Sequence, residues 1–162
     1  MVYSTLVNLI EHKKVRLEYE ILKEFEAGIE LQGLEVKSLR ARHGKLEGAH
    51  VVVRPSGRAG GFEAYVVGMS IPPYQASNTP ADYDPEQTRK LLLTKKELEE
   101  LAGYEGQKGL TLVPISVYSK ASKLKMRVGA ARGLKKYDKR AVLKERDTKR
   151  DIQRTLKNQP QR

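Results

Sequence analysis

The sequence predicts a mainly β protein: a small antiparallel barrel of the OB type, with two or three short flanking helices and a basic C-terminal tail. Three observations carry that prediction. Between Leu17 and Leu31, apolar residues fall at odd positions (Leu17, Tyr19, Ile21, Phe25, Ala27, Ile29, Leu31) and glutamates at even ones (Glu18, Glu20, Glu24, Glu26, Glu30). That is the period of a half-buried strand with an acidic outer face. Further short β-rich runs follow, separated by Gly- and Pro-containing loops. Residues 130–162 hold twelve Lys and Arg against four acids, a net +8 of the chain's +11. A mixed α+β sandwich is the alternative architecture.

Taken in order, residues 1–14 show no clear period and read as an arm or a short helix. The alternating strand comes next, with Gly28 inside it as a candidate bulge. Residues 33–42 switch to helical spacing, with Leu34, Val36 and Leu39 facing inward. Residues 49–53 and 62–69 read as a hairpin, and 75–85 as a loop. Asp84-Pro85-Glu86 suggests a helix start, and Leu91 to Leu93 a buried run. Thr94 with Glu97 is a capping box that opens a helix ending at Gly103. Residues 110–118 and 124–128 form a second hairpin around 119–123.

The tail's cations include Arg132, Lys135, Lys136, Lys139, Arg140, Lys144, Arg146, Lys149, Arg150 and Arg154. Its apolar surface comes mostly from Val142, Leu143, Ile152 and Leu156, too little for a core. Glu145 and Lys149 form an i,i+4 pair that favours helix, whereas Arg146, Arg150 and Arg154 repel along one face. A polyanion would remove that repulsion. The tail is therefore expected to be disordered when free and helical when bound. The expected units are a barrel over residues 1–129 and a tail over 130–162. Charge gathered on one arm points to nucleic acid. A membrane surface fits less well, because the tail lacks the aromatic-rich apolar face of an interfacial helix.

The chain's 162 residues are one domain's worth, and it has no cysteine. That excludes disulfide and thiolate chemistry and suits a reducing compartment. No apolar run approaches the roughly 18 residues of a membrane span. The start lacks the basic region and cleavage site of a signal peptide. His12, His43 and His50 show no metal-ligand spacing and are expected at the surface or in turns. Ser38, Ser70 and Ser116 sit in no nucleophile elbow. The Gly-rich stretches 56–61 and 106–109 lack the ending of a phosphate-binding P-loop. Gly106 to Gly109 matches the GXXG of a KH clamp but joins a helix to a strand, and it reads as a turn. No enzymatic activity, metal or cofactor is expected. An RNA-processing enzyme and a general OB-type RNA binder of the translation machinery are the competing functional classes.

Several blocks, in order, resemble one family. They are Tyr19-Glu20-Ile21, Phe25 to Ile29, Gly33 to Ala41, Ile71-Pro72-Pro73-Tyr74, Asp84-Pro85, Thr88 to Leu93, Lys108 to Pro114, and Gly129-Ala130-Ala131-Arg132-Gly133 through Tyr137-Asp138-Lys139-Arg140. The chain is similar over roughly residues 15–157 to SmpB, the SsrA-binding proteins. The resemblance implies an OB-type barrel that holds the tRNA-like domain of tmRNA. It implies delivery of that RNA to cytoplasmic ribosomes stalled on messages lacking a stop codon, so that the stalled peptide is tagged. The tail would enter the empty mRNA channel as a helix, beside the decoding centre and 16S rRNA. Elongation factor Tu and alanyl-tRNA synthetase are implied partners through the charged tmRNA. By position, Glu26, Leu92 and Lys125 match tmRNA contacts of the barrel. His12, before Lys13 and Lys14, stands where the family has Asn before a basic pair. Asp138, Lys139 and Arg140 match the family's DKR, and Tyr137 matches a ring that can stack on a ribosomal RNA base.

Overall fold

The computed structural model describes residues 5–57 and 60–158; for Lys136 and Tyr137 it describes the backbone alone. The elements in order are β1 (Leu6–Glu11), α1 (Val15–Glu18), β2 (Tyr19–Ile29), α2 (Gly33–Arg40), β3 (His50–Pro55) and β4 (Phe62–Val67). A single 3-10 turn follows at Ala76–Asn78. Then come β5 (Arg89–Leu92), α3 (Lys95–Glu105), β6 (Leu110–Lys120), β7 (Lys123–Gly133) and α4 (Lys136–Lys157).

All strand pairings are antiparallel, in the order β1-β6-β3-β4-β5-β2-β7, and a further β6–β7 pairing closes the ring. Six strands thus form the barrel. β1 lies outside the ring, on the edge of β6 that β3 leaves open, pairing Leu6 with Lys120 and Glu11 with Ser116. The predicted antiparallel barrel is present, with six strands in its ring and β1 added outside it among the described residues. The stretch 6–11 is a strand and not an arm or helix, because the long β6 needs a partner beyond its single bridge to β3 at Leu112.

The barrel is filled by Phe25, Ala27, Val51, Ala64, Val66, Leu91, Leu112, Val117, Met126 and Val128. α3 packs against it through buried Leu101, and Tyr104 meets Phe25 edge-on with ring centroids 6.2 Å apart. The capping box holds: Glu97 N–H donates to Thr94 Oγ1 (3.3 Å), and Thr94 N–H donates to Glu97 Oε2 (3.1 Å).

Several expectations shift. α1 takes Leu17 and Glu18, so β2 begins at Tyr19. The register break in β2 lies between Ile21 and Lys23, not at Gly28. Burial alternates over Tyr19–Leu22 and over Phe25–Ala27, on either side of that break. In α2, Glu35, Ser38 and Leu39 are the buried residues, while Leu34 and Val36 are only partly covered. Glu35 goes inside because Arg89 meets it there. Arg89 Nε donates to Glu35 Oε1 (3.0 Å), and its other nitrogens donate to the carbonyls of Met69, Gln87 and Pro85. Such an ion pair tolerates burial only when its remaining donors are satisfied. The Asp84 region opens no helix: Glu86 N–H donates to Asp84 Oδ1 in a tight turn, and β5 follows.

The tail departs most. It is helical over Lys136–Lys157, and β7 runs on to Gly133. The expected boundary at 129 therefore falls within a barrel strand.

Candidate RNA interface

β2, β5 and β7 run side by side, and their register sets the outer face. Gly28 lies opposite Leu92 of β5 on one side and opposite Lys125 of β7 on the other. Glu26, two residues earlier, points to the same face of β2. Three residues from separate strands, Glu26, Leu92 and Lys125, thus meet on one outer surface. Gly28 keeps that surface open: a Cβ there would lie 3.2 Å from Leu92 Cβ. A cleft of about 370 Å³ follows, with Gly28, Leu92, Lys123, Lys125 and Arg40 in its lining. Leu92 is 54% exposed, whereas Leu91 is buried and Leu93 half-buried. The predicted buried run is ordinary strand alternation, and Leu92 is its outward member.

Glu26 sits in a polar cluster. Tyr118 Oη donates to Glu26 Oε2 (2.5 Å), and Lys120 Nζ approaches Oε1 at 3.3 Å. The Tyr118 hydrogen bond, then the charges of Lys120 and Lys125, hold the Glu26 carboxyl below its ordinary range. Burial, then the bond to Glu26, push the Tyr118 phenol well above its own. Arg127 covers the Tyr118 ring at 5.4 Å and pairs with Glu24 at 3.5 Å. The face therefore carries a fixed carboxylate beside Lys120, Lys125 and Arg127. Tyr118, Lys120 and Arg127 were not singled out from sequence, although the alternation Lys123-Leu124-Lys125-Met126-Arg127 puts a row of cations on one side of β7.

The N-terminal residues behave differently. His12 is buried at 4% exposure, a correction to its expected surface position. Its backbone N–H donates to the Ile115 carbonyl (2.8 Å) and its carbonyl accepts from Val15, fixing the turn into α1. Among the described residues His12 Nδ1 and Ser116 Oγ have no hydrogen-bond partner, and both residues line a cleft of about 300 Å³ beneath α4. That volume admits water to serve both atoms. Lys13 and Lys14 are exposed, but none of the three lines the Leu92–Lys125 cleft. His43 and His50 are exposed as expected.

In the tail, Arg132 belongs to β7, opposite Glu20 and Leu110. Lys135 precedes α4, and its N–H donates to Asp138 Oδ2 (3.3 Å), a helix-opening contact. Lys139 is half-buried; Arg140, Lys144, Arg146, Lys149, Arg150 and Arg154 are exposed. The Glu145–Lys149 pair forms at 3.1 Å. The side chains of Lys136 and Tyr137 lie outside the described residues. Val142 and Arg146 line the His12 cleft where α4 meets α1. Among the described residues no group of three His, Asp or Glu could hold a metal ion, and no helix is long and apolar enough to cross a membrane.

The comparisons converge on one family. The model of the SmpB protein matches residues 9–158. The SsrA-binding protein of Gloeothece citriformis (strain PCC 7424) is 44% identical over 92% of this chain and 92% of its own length. That of Microcystis aeruginosa (strain NIES-843 / IAM M-2473) is 44% identical over 92% and 93%. A chain of the solved structure "tmRNA-SmpB: a journey to the center of the bacterial ribosome" superposes with a TM-score of 0.63 at 42% identity, covering 78% of this chain and 85% of that one. Matched across nearly its whole length, the chain belongs to the SmpB family, the SsrA-binding proteins.

Proposed function

We propose that this chain is an RNA-binding adaptor of ribosome rescue. It binds the tRNA-like domain of tmRNA on the face around Gly28 and brings that RNA to ribosomes stalled on messages without a stop codon. One observation carries the reading: Glu26, Leu92 and Lys125 converge on one outer face in a chain of the SmpB family. Lys125 suits a phosphate and Glu26 a ribose or base donor. Exposed Leu92 offers an apolar contact that the core does not use. Lys13 and Lys14, exposed at the turn after β1, would contact the RNA elsewhere than this cleft.

α4 is assigned to the ribosome. Its exposed cations would line the empty mRNA channel against 16S rRNA, and Tyr137 would stack on a base near the decoding centre. Elongation factor Tu and alanyl-tRNA synthetase would meet the complex through the charged tmRNA. The protein works in the cytoplasm and performs no chemistry itself. A general RNA binder would read single strands on aromatic platforms, but every described ring on the strands is buried or half-buried.

The test is binding of Lys125→Gln and Leu92→Ala variants to the tRNA-like domain of tmRNA, with ordinary tRNA as competitor. Both should bind more weakly with little change in melting temperature, since Leu92 is exposed and Lys125 is half-buried outside the core. Lys125→Gln should flatten the salt dependence by about one unit. Wild-type binding by both variants would refute the assignment.

A further inference from the structure

A second cleft lies beside this face, between α2 and the loop after β4. Its volume is about 600 Å³, and its lining includes Leu34, Lys37, Arg40, Tyr74, Gln75 and Asn78. Tyr74 is 43% exposed and is the one exposed aromatic side chain among the described residues. It stands beside two cations, and no carboxylate lines the cleft. Lys37 has no ion-pair partner among the described residues.

The ring is presented from a pinned segment. Ser38 Oγ donates to the Pro72 carbonyl (2.6 Å), tying α2 to the residues just before Tyr74. Ile71 is fully buried, and its carbonyl accepts from Tyr83 Oη (2.7 Å). The Glu35–Arg89 pair joins α2 to Met69, Pro85 and Gln87 at both ends of the loop. A ring held this way has little ordering left to lose on binding. Arg40 lines both this cleft and the Leu92–Lys125 cleft, its Nη2 donating to the Ser122 carbonyl (3.1 Å). The two surfaces are continuous.

We propose that this cleft takes one unpaired nucleotide of the RNA bound at the Gly28 face. The base stacks on Tyr74, and the flanking phosphates meet Lys37 and Arg40. Asn78 Nδ2 donates to Gln75 Oε1 (2.8 Å). That bond leaves Asn78 Oδ1 as an acceptor and Gln75 Nε2 as a donor for a base edge. Stacking plus cationic backbone contact is how proteins hold splayed-out RNA bases.

The inference rests on the RNA reading above, and the experiment separates the two. Full-length Tyr74→Ala, Tyr74→Phe and Lys37→Gln are titrated with the tRNA-like domain of tmRNA across a salt series, with Lys125→Gln alongside. Tyr74→Ala should lose roughly tenfold in affinity while Tyr74→Phe, which keeps the ring, retains it. Lys37→Gln should flatten the salt slope by about one phosphate's worth. If Lys125→Gln binds weakly while Tyr74→Ala and Lys37→Gln bind like wild type, this cleft is wrong and the RNA reading stands. If no variant is affected, the RNA reading falls, and a second readout decides the cleft. That readout is the Tyr74 ring resonances during titration with a short unstructured oligoribonucleotide. A saturable upfield movement upholds nucleotide binding; its absence overturns it.

Discussion

Glu26 and Tyr118 share a proton asymmetrically. Tyr118 keeps its hydrogen and donates it, so the Glu26 carboxylate is favoured and titrates below its ordinary 4.5. A carboxyl depressed in the folded state adds stability that is fully present above its unfolded pKa. That stability is lost as pH falls through the folded value. Tyr118→Phe removes the largest cause and should move the Glu26 titration midpoint upward, as followed by NMR of its side-chain carboxyl. An unmoved midpoint would mean that Lys120 and Lys125 alone set the value. Residue orientation was partly legible in the sequence. Alternation correctly turned Glu26 outward, whereas Tyr118 lies in a β6 run buried from Leu112 to Ser119, where neighbours give no sign that its hydroxyl meets Glu26. His12 was misplaced because its burial depends on the turn into α1, a feature with no periodic trace.

At the level of elements, β7 explains why barrel and tail cannot be cut at 129. Ala130 and Ala131 are fully buried; residues 130–132 pair with both β2 and β6, and Gly133 pairs with Tyr19 of β2. A chain ending at Gly129 should melt well below the full-length protein, whereas one ending at Leu134 should melt close to it. Equal melting of the two shortened chains would contradict the strand extension. Gly129 itself is confined: a Cβ would lie 2.9 Å from Ile115 Cδ1 and 3.3 Å from Ile21. Gly129→Ala should cost about 1–3 kcal/mol by overpacking, read from the denaturant midpoint. The sequence presented residues 129–133 as small residues leading into charge, and small residues look like linker until a crowded crossing of strands demands them. The same limit hid β1, whose apolar residues are legible but whose place on β6 depends on a partner more than 100 residues away. In α4 the favourable propensities and the Glu145–Lys149 pair support the helix along which Arg146, Arg150 and Arg154 are exposed.

Across the whole molecule, a buried ion pair and a charge division hold form and function together. Glu35 and Arg89 are each about 1% exposed and bring α2 onto the chain between β4 and β5. Glu35→Ala would strand the guanidinium in the interior and should cost about 3–5 kcal/mol. Replacing the pair together, Glu35→Leu with Arg89→Met, should cost much less. Equal losses would show that the pair is not the organising contact. The sequence revealed the barrel because strand alternation and hairpin spacing are local, and it revealed the tail because charge is additive. Closure of the ring and the cleft around Gly28 depend on which strands become neighbours, and that only the assembled sheet decides.

The proposed division of labour gives RNA reading to the barrel and the ribosome to the tail. It is tested most directly by comparing the full-length protein with a chain ending at Leu134. Both are titrated with the tRNA-like domain of tmRNA against an ordinary tRNA competitor, across a salt series. Both should prefer the tmRNA domain by a similar margin, with the shorter chain unable to support tagging on stalled ribosomes. Loss of discrimination on removing α4, or its absence in both chains, would contradict it.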